Sequence, residues 1–196
     1  MNNKIFFERI RETVFGGHIS AEQVVGVDTI LTAFAAYSAI GDARWLAYCL
    51  ATAYHETAHT MKPIAEYGHG HGHPYGRPGP DGQCAYGRGF VQLTWRENYV
   101  HADNKLGLQG ALIKNFELAL EPGIAARVLI YGMIDGWFTK FKLSDYFNVQ
   151  VCDWFHARRI INGVDRAALI SGYAKDFYDS LLASQYVATN AGDNPA

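Results

Sequence analysis

Apolar positions recur at helical spacing through most of this chain. Phe6, Ile10 and Val14 lie four apart within Lys4–Val14, and Gly16-Gly17 ends that segment. Ser20 followed by Gln23 forms a capping-box pattern ahead of a buried helix over Ala21–Ile40, which Gly41 stops. Asp42 is an N-cap for a third helix, Ala43 to Ala58, with Leu46, Cys49, Leu50 and Ala53 on its core face. Pro122 opens a helix over Gly123–Trp137, where Ile124, Val128, Tyr131 and Ile134 recur at the same period. Asp153–Ile161 reads as a helix ended by Asn162-Gly163. Asp165 then caps a last helix reaching Tyr186, with Leu169, Tyr173, Phe177 and Leu181 on one face.

The pattern breaks over Thr60–Gly87, where Pro63, Pro74, Pro78 and Pro80 exclude a continuous helix and G-H-G-H-G-H interrupts any apolar stripe. A loop of that length inside a compact domain is functional or mobile. Phe90–Thr94 alternates apolar and polar like a short strand, which puts Gln92 and Thr94 on one face. Glu97–Lys105 forms a helix ended by Gly107, and Ser144–Phe147 is a short connector. The resulting class is mainly α, or α+β with minimal sheet. It is a single domain of six to seven helices over residues 1–188, followed by a disordered tail, 189–196.

Composition narrows the function classes. A chain of 196 residues with 49% hydrophobic content buries a full core. The net charge of −2 gives no basic field, so nucleic acid is not an expected partner. Cys49, Cys84 and Cys152 are odd in number and widely spaced, which fits a reducing compartment rather than a disulfide framework. The charged N-terminus lacks the apolar run of a signal peptide, and Ile30–Ile40 is too short to span a bilayer. The expectation is a monomer made in the cytoplasm without a signal peptide and without a membrane anchor.

The chemistry concentrates in Ala53–Glu66, A-Y-H-E-T-A-H-T-M-K-P-I-A-E. His55, Glu56 and His59 match H-E-x-x-H, in which two histidines one helical turn apart bind zinc. The longer form of that motif wants Gly and His where this chain has Lys62 and Ala65. A third ligand would have to come from Glu66 or from His69, His71 and His73 on the loop. The other chemistry is a carboxylate pair, Glu56 and Glu66. Glu56 stands beside the buried face at a helix C-terminus, where the dipole and partial burial favour the protonated form a general acid needs. A helix-end carboxylate facing a loop carboxylate is the minimum apparatus for glycoside hydrolysis.

Three blocks in order resemble glycoside hydrolase family 19, the chitinases and related phage endolysins. They are H-E-T at 55–57, Y-G-R-G-F-V-Q-L-T-W-R-E-N-Y at 86–99, and R-I-I-N-G at 159–163. The resemblance implies a lysozyme-like fold with a catalytic cleft. It implies Glu56 as general acid, Glu66 as general base and Thr94 as the hydroxyl that helps hold the attacking water. Gln92, Asn98 and Asn162 match sugar-binding positions. His55, Tyr67, Arg88, Trp95 and Arg159 complete the expected substrate-binding set, with Arg88 and Arg159 alternatively bracing the cleft. The substrate implied is a polysaccharide, peptidoglycan first and chitin second, with no metal or cofactor. Action on the cell wall would follow release or holin-type delivery. The chain departs from the plant pattern after Glu66, where a short His/Gly/Pro loop replaces a longer cysteine-bearing insertion. A zinc peptidase and a non-catalytic glycan-binding relative are the competing readings.

Overall fold

The computed structural model describes residues 1–37 and 41–186. The tail expected to be disordered lies outside the described residues, as does the expected C-terminal end of the second helix. The elements run α1 (Asn3–Thr13), α2 (Ala21–Ala36), α3 (Ala43–Glu56), β1 (Ile64–Ala65), β2 (Arg88–Gly89), α4 (Arg96–Leu106), α5 (Ala111–Lys114), α6 (Pro122–Asp135), α7 (Leu143–Tyr146) and α8 (Ala167–Ala183). Single 3₁₀ segments cover Pro74–Gly76, Phe116–Leu120 and His156–Ile160.

α3 is the axis of the fold. Every side chain from Leu46 to Tyr54 is buried, so this helix has no solvent face over that length. A helix buried all round must be enclosed by neighbours. α8 packs along it most extensively, and α2 and α6 also touch it. Phe34 of α2, Leu129 and Met133 of α6, and Phe177 and Leu181 of α8 complete the core. Each large side chain so buried contributes about 1.5–3 kcal/mol before entropy is counted.

Local signals in the chain account for most element ends. Ser20 and Gln23 form the reciprocal capping box, with Gln23 N–H donating to Ser20 at 3.1 Å and Ser20 N–H to Gln23 at 2.8 Å. The Asp42 carboxylate accepts from Arg44 N–H at 2.9 Å and starts α3. Pro122 occupies the first turn of α6, and Gly136 ends it in the left-handed region at φ +72°. Among the described residues no helix is long and apolar enough to cross a membrane.

Four expectations are corrected. Phe90–Val91–Gln92 is a turn, not a strand, because Leu93 doubles back to pair with Arg88. The sheet is instead β1 with β2, antiparallel, with Ile64 opposite Gly89 and Ala65 opposite Arg88. The Asp153–Ile161 helix shrinks to the 3₁₀ segment His156–Ile160. Asp165 does not cap α8: the N-cap is Arg166, at φ +58° and without a side-chain bond, and the core face is Ile170, Ala174, Phe177 and Leu181 while Leu169 is exposed.

Candidate active site

The site grows from the end of α3. Thr57 stops the helix: its buried hydroxyl donates to Ala53 O at 2.7 Å and accepts from Met61 N–H at 3.0 Å. Ala58 and His59 follow at φ +49° and +69°, in the left-handed region that breaks a helix. Gly26 of α2 lies against this turn so closely that a Cβ there would sit 1.8 Å from Met61 O. The end of α3 is therefore clamped against the core.

Glu56, the last residue of α3, meets an unforeseen partner. Arg158 donates to Glu56 Oε1 at 2.6 Å, and their side chains are 5% and 18% exposed respectively. Arg158 Nε donates also to Asp165 O at 3.1 Å, which fixes the guanidinium from behind. The sequence signal was a pair, Arg158-Arg159, at the start of the R-I-I-N-G block. The 3₁₀ segment turns the first inward and leaves the second exposed. Arg159 thus lies outside the Glu56 pair. His55 is half-buried, and burial first, then Arg158, holds its pKa below the usual histidine value against the pull of Glu56.

The second carboxylate is held by a different kind of structure. Glu66 follows β1, and its N–H donates to Gly87 O at 2.7 Å. Gly87 N–H returns a bond to Glu66 Oε2 at 3.0 Å, and Tyr75 O–H donates to Oε1 at 3.2 Å. Burial and then Glu66 push the Tyr75 phenol up. Trp95, 45% exposed, meets Tyr75 edge to face at 5.2 Å. Gln92, at φ +53°, turns its Nε2 to Ile64 O at 3.1 Å and ties the turn to β1. Thr94 is half-buried, and its carbonyl accepts from Asn98 Nδ2 at 2.8 Å. Tyr67 stands beside Glu66 almost fully exposed.

Two expected sugar-binding residues make their bonds within the protein. Arg88 is 4% exposed and spends its donors inside the protein, on Glu117 at 2.6 Å, Tyr99 at 3.0 Å and the carbonyls of Cys84 and Tyr86. It braces the turn that carries Gln92. Asn162 is an exposed turn residue whose Oδ1 accepts from Gly163 N–H at 2.9 Å.

The zinc motif does not assemble. α3 ends at Glu56, so His59 has left the helix and lies flat on Tyr54, ring centroids 4.2 Å apart. Of the loop histidines, His69 stacks on Tyr86 at 4.6 Å and His73 on Tyr75 at 4.9 Å. Among the described residues no three His, Cys, Asp or Glu side chains converge as metal ligands.

Chitinase C from Streptomyces griseus HUT6037 superposes with a TM-score of 0.61 at 23% identity, over 93% of this chain and 76% of that one. The chain shares the fold of that protein. A mutant of chitinase C gives 0.59 at 22% identity over 92% and 76%. A bacterial family 19 chitinase covers 96% of both chains at 20% identity with a TM-score of 0.46. No family model and no curated protein sequence matches the chain. The mainly helical, lysozyme-like fold expected from the family 19 resemblance is thus met.

Proposed function

We propose that residues 1–188 of this chain form one catalytic domain that hydrolyses β-1,4-linked N-acetyl glycans with inversion. The observation that carries this reading is the pair of carboxylates, each fixed by its own partners, on a chitinase fold. Glu56 delivers a proton to the leaving glycosidic oxygen as the C1–O bond breaks. Glu66 takes a proton from the water whose oxygen bonds to C1 from the opposite face. Thr94 helps position that water, and Gln92, Trp95 and Asn98 line the sugar path. Loading a proton on Glu56 weakens its pair with Arg158, so guanidinium placement and acid function are coupled. The natural polymer we assign is peptidoglycan, reached after release or holin-type delivery, with chitin second.

Release of reducing ends from both polymers by the native chain tests the hydrolase against a glycan-binding reading. Glu56→Gln is expected to abolish release from both while circular dichroism stays native. Normal cleavage by that variant would remove Glu56 from the acid role. A chelator that stops the native chain would revive the metal reading.

A further inference from the structure

Beside α4 lies a polar hollow of about 390 Å³ that the two carboxylates do not use. Its near wall is Asn98, whose side chain bonds to Thr94 O. Its far wall is the turn Gly136–Lys140. The hydroxyl of Thr139 in that turn donates to Arg159 O at 2.7 Å and to Ile160 O at 3.0 Å, in the segment that brings Arg158 to Glu56. The hollow is therefore anchored on one side to the Thr94 turn and on the other to the Glu56 partner. It shares Asn98 with the proposed sugar path.

The charges in it are unequal in their commitments. Two carboxylates line it as well: Asp135 accepts from Tyr37 O–H at 3.2 Å, while Glu97 has no ion pair among the described residues because neighbouring Arg96 is bonded to Asp81. Lys105 and Lys140, on opposite walls, have no carboxylate within 4.0 Å among the described residues. Both act on His101 between them, whose pKa is lowered by burial first and then by these two ammonium groups. Trp137 packs against His101 at 5.1 Å, and its indole N–H is buried with no protein acceptor. Lys140 is held at φ +76°, in the left-handed region that a lysine does not choose unaided. Two ammonium groups without an ion pair face this hollow from opposite walls and can hold an anion with several oxygens between them, away from Glu97 and Asp135.

We propose that this hollow is a subsite for carboxylate groups borne by the glycan, those of the peptide stem of peptidoglycan. The inference rests on the hydrolase reading and supplies what that reading lacks, a reason to prefer one polymer. Chitin carries no carboxylate, so Lys105 and Lys140 would have nothing to bind there.

The test compares soluble glycan fragments that keep their peptide stems with the same fragments stripped of free carboxylates by conversion of these to primary amides. For the native chain, kcat/KM on intact fragments should exceed that on stripped ones by about tenfold, mostly through KM. In K105Q/K140Q that ratio should fall towards one, and K105R/K140R should restore it. A native ratio near one, or a ratio unchanged by K105Q/K140Q, overturns the subsite. If the native chain cuts neither substrate, the hydrolase reading fails by itself. Equilibrium binding of the intact fragment then decides the subsite: about tenfold weaker binding by K105Q/K140Q supports it, and equal binding overturns it.

Discussion

Glu56 and Glu66 stand on either side of one short connection, yet they are built in opposite ways. Glu56 ends a helix buried on all sides and reaches a nearly buried arginine brought from the far end of the sequence. Glu66 hangs on a two-residue strand, and its partners are a backbone N–H and a tyrosine on the following loop. Helix termination, core packing and an ion pair all constrain the first. Local hydrogen bonds constrain the second. In the proposed reaction Glu66 as base acts through a water molecule and can tolerate the looser mounting, whereas Glu56 as acid must meet the glycosidic oxygen directly. Disturbing each side in turn should therefore give different mixtures of lost activity and lost stability.

The largest effects fall on the carboxylates. Glu56→Gln and Glu66→Gln should each lower glycan hydrolysis by about 10²–10⁴-fold. Their stabilities should diverge when Arg158→Leu is added to the series. That change leaves Glu56 without its partner and should cost about 1–3 kcal/mol, below the range of a fully buried pair because Glu56 keeps 18% exposure. Glu66→Gln keeps an amide oxygen for Gly87 N–H and turns its amide N–H to the Tyr75 hydroxyl, which can accept, so it should unfold close to the native midpoint. Equal destabilisation by Arg158→Leu and Glu66→Gln in denaturant titrations would erase the contrast.

Gly26→Ala comes next. Its new methyl would meet Met61 O at 1.8 Å, against backbone that cannot swing away. A cost of about 3 kcal/mol follows, a fall of roughly 6–12 °C in Tm for a chain of this size. The matching change on the other side is Gly76→Ala, whose methyl would meet Gly70 O at 2.1 Å and pry open the closed end of the histidine loop. That loop buries few side chains, so Tm should move by less than about 2 °C. The loop carries Tyr75, however, so KM for glycan should rise a few-fold. A Tm loss from Gly76→Ala as large as that from Gly26→Ala would mean the loop is part of the core.

The same contrast explains what could be read from the chain. Helix starts at Ser20, Asp42 and Pro122 were legible because a cap acts over three or four residues. Glu56 was legible for the same reason, standing where a periodic stripe ends. The Phe90–Thr94 strand was misread because alternation alone does not reveal that Leu93 pairs back to Arg88. Arg88 looked like a sugar ligand because its partner Glu117 lies in a stretch, Leu108–Glu121, without a strong periodic signal. Arg158 could not be told from Arg159, since a 3₁₀ segment follows neither helical nor strand spacing. Residues fixed by distant partners are the ones that local pattern hides.

The smallest effect concerns His55, between the clamped helix and the open cleft. Its folded pKa is lowered from 6.5 by burial and by Arg158, with His59 and Arg166 acting in the same sense and Glu56 against them. The unfolded chain then binds this proton more readily than the folded one. Stability must fall as pH drops through about 6.5 and level off below the folded value. Above that window His55 is neutral in both states and contributes no pH dependence. His55→Gln keeps a polar side chain but cannot take up the proton. Between pH 7.5 and pH 5 its Tm should therefore fall less than that of the native chain, by about 1–2 °C for a group this exposed. His101 is shifted the same way by burial, Lys105 and Lys140, so His101→Gln serves as the parallel case in the hollow beside α4. Identical acid slopes for the native chain and His55→Gln would show that His55 sits in water-like surroundings, and that the clamp on α3 stops short of it.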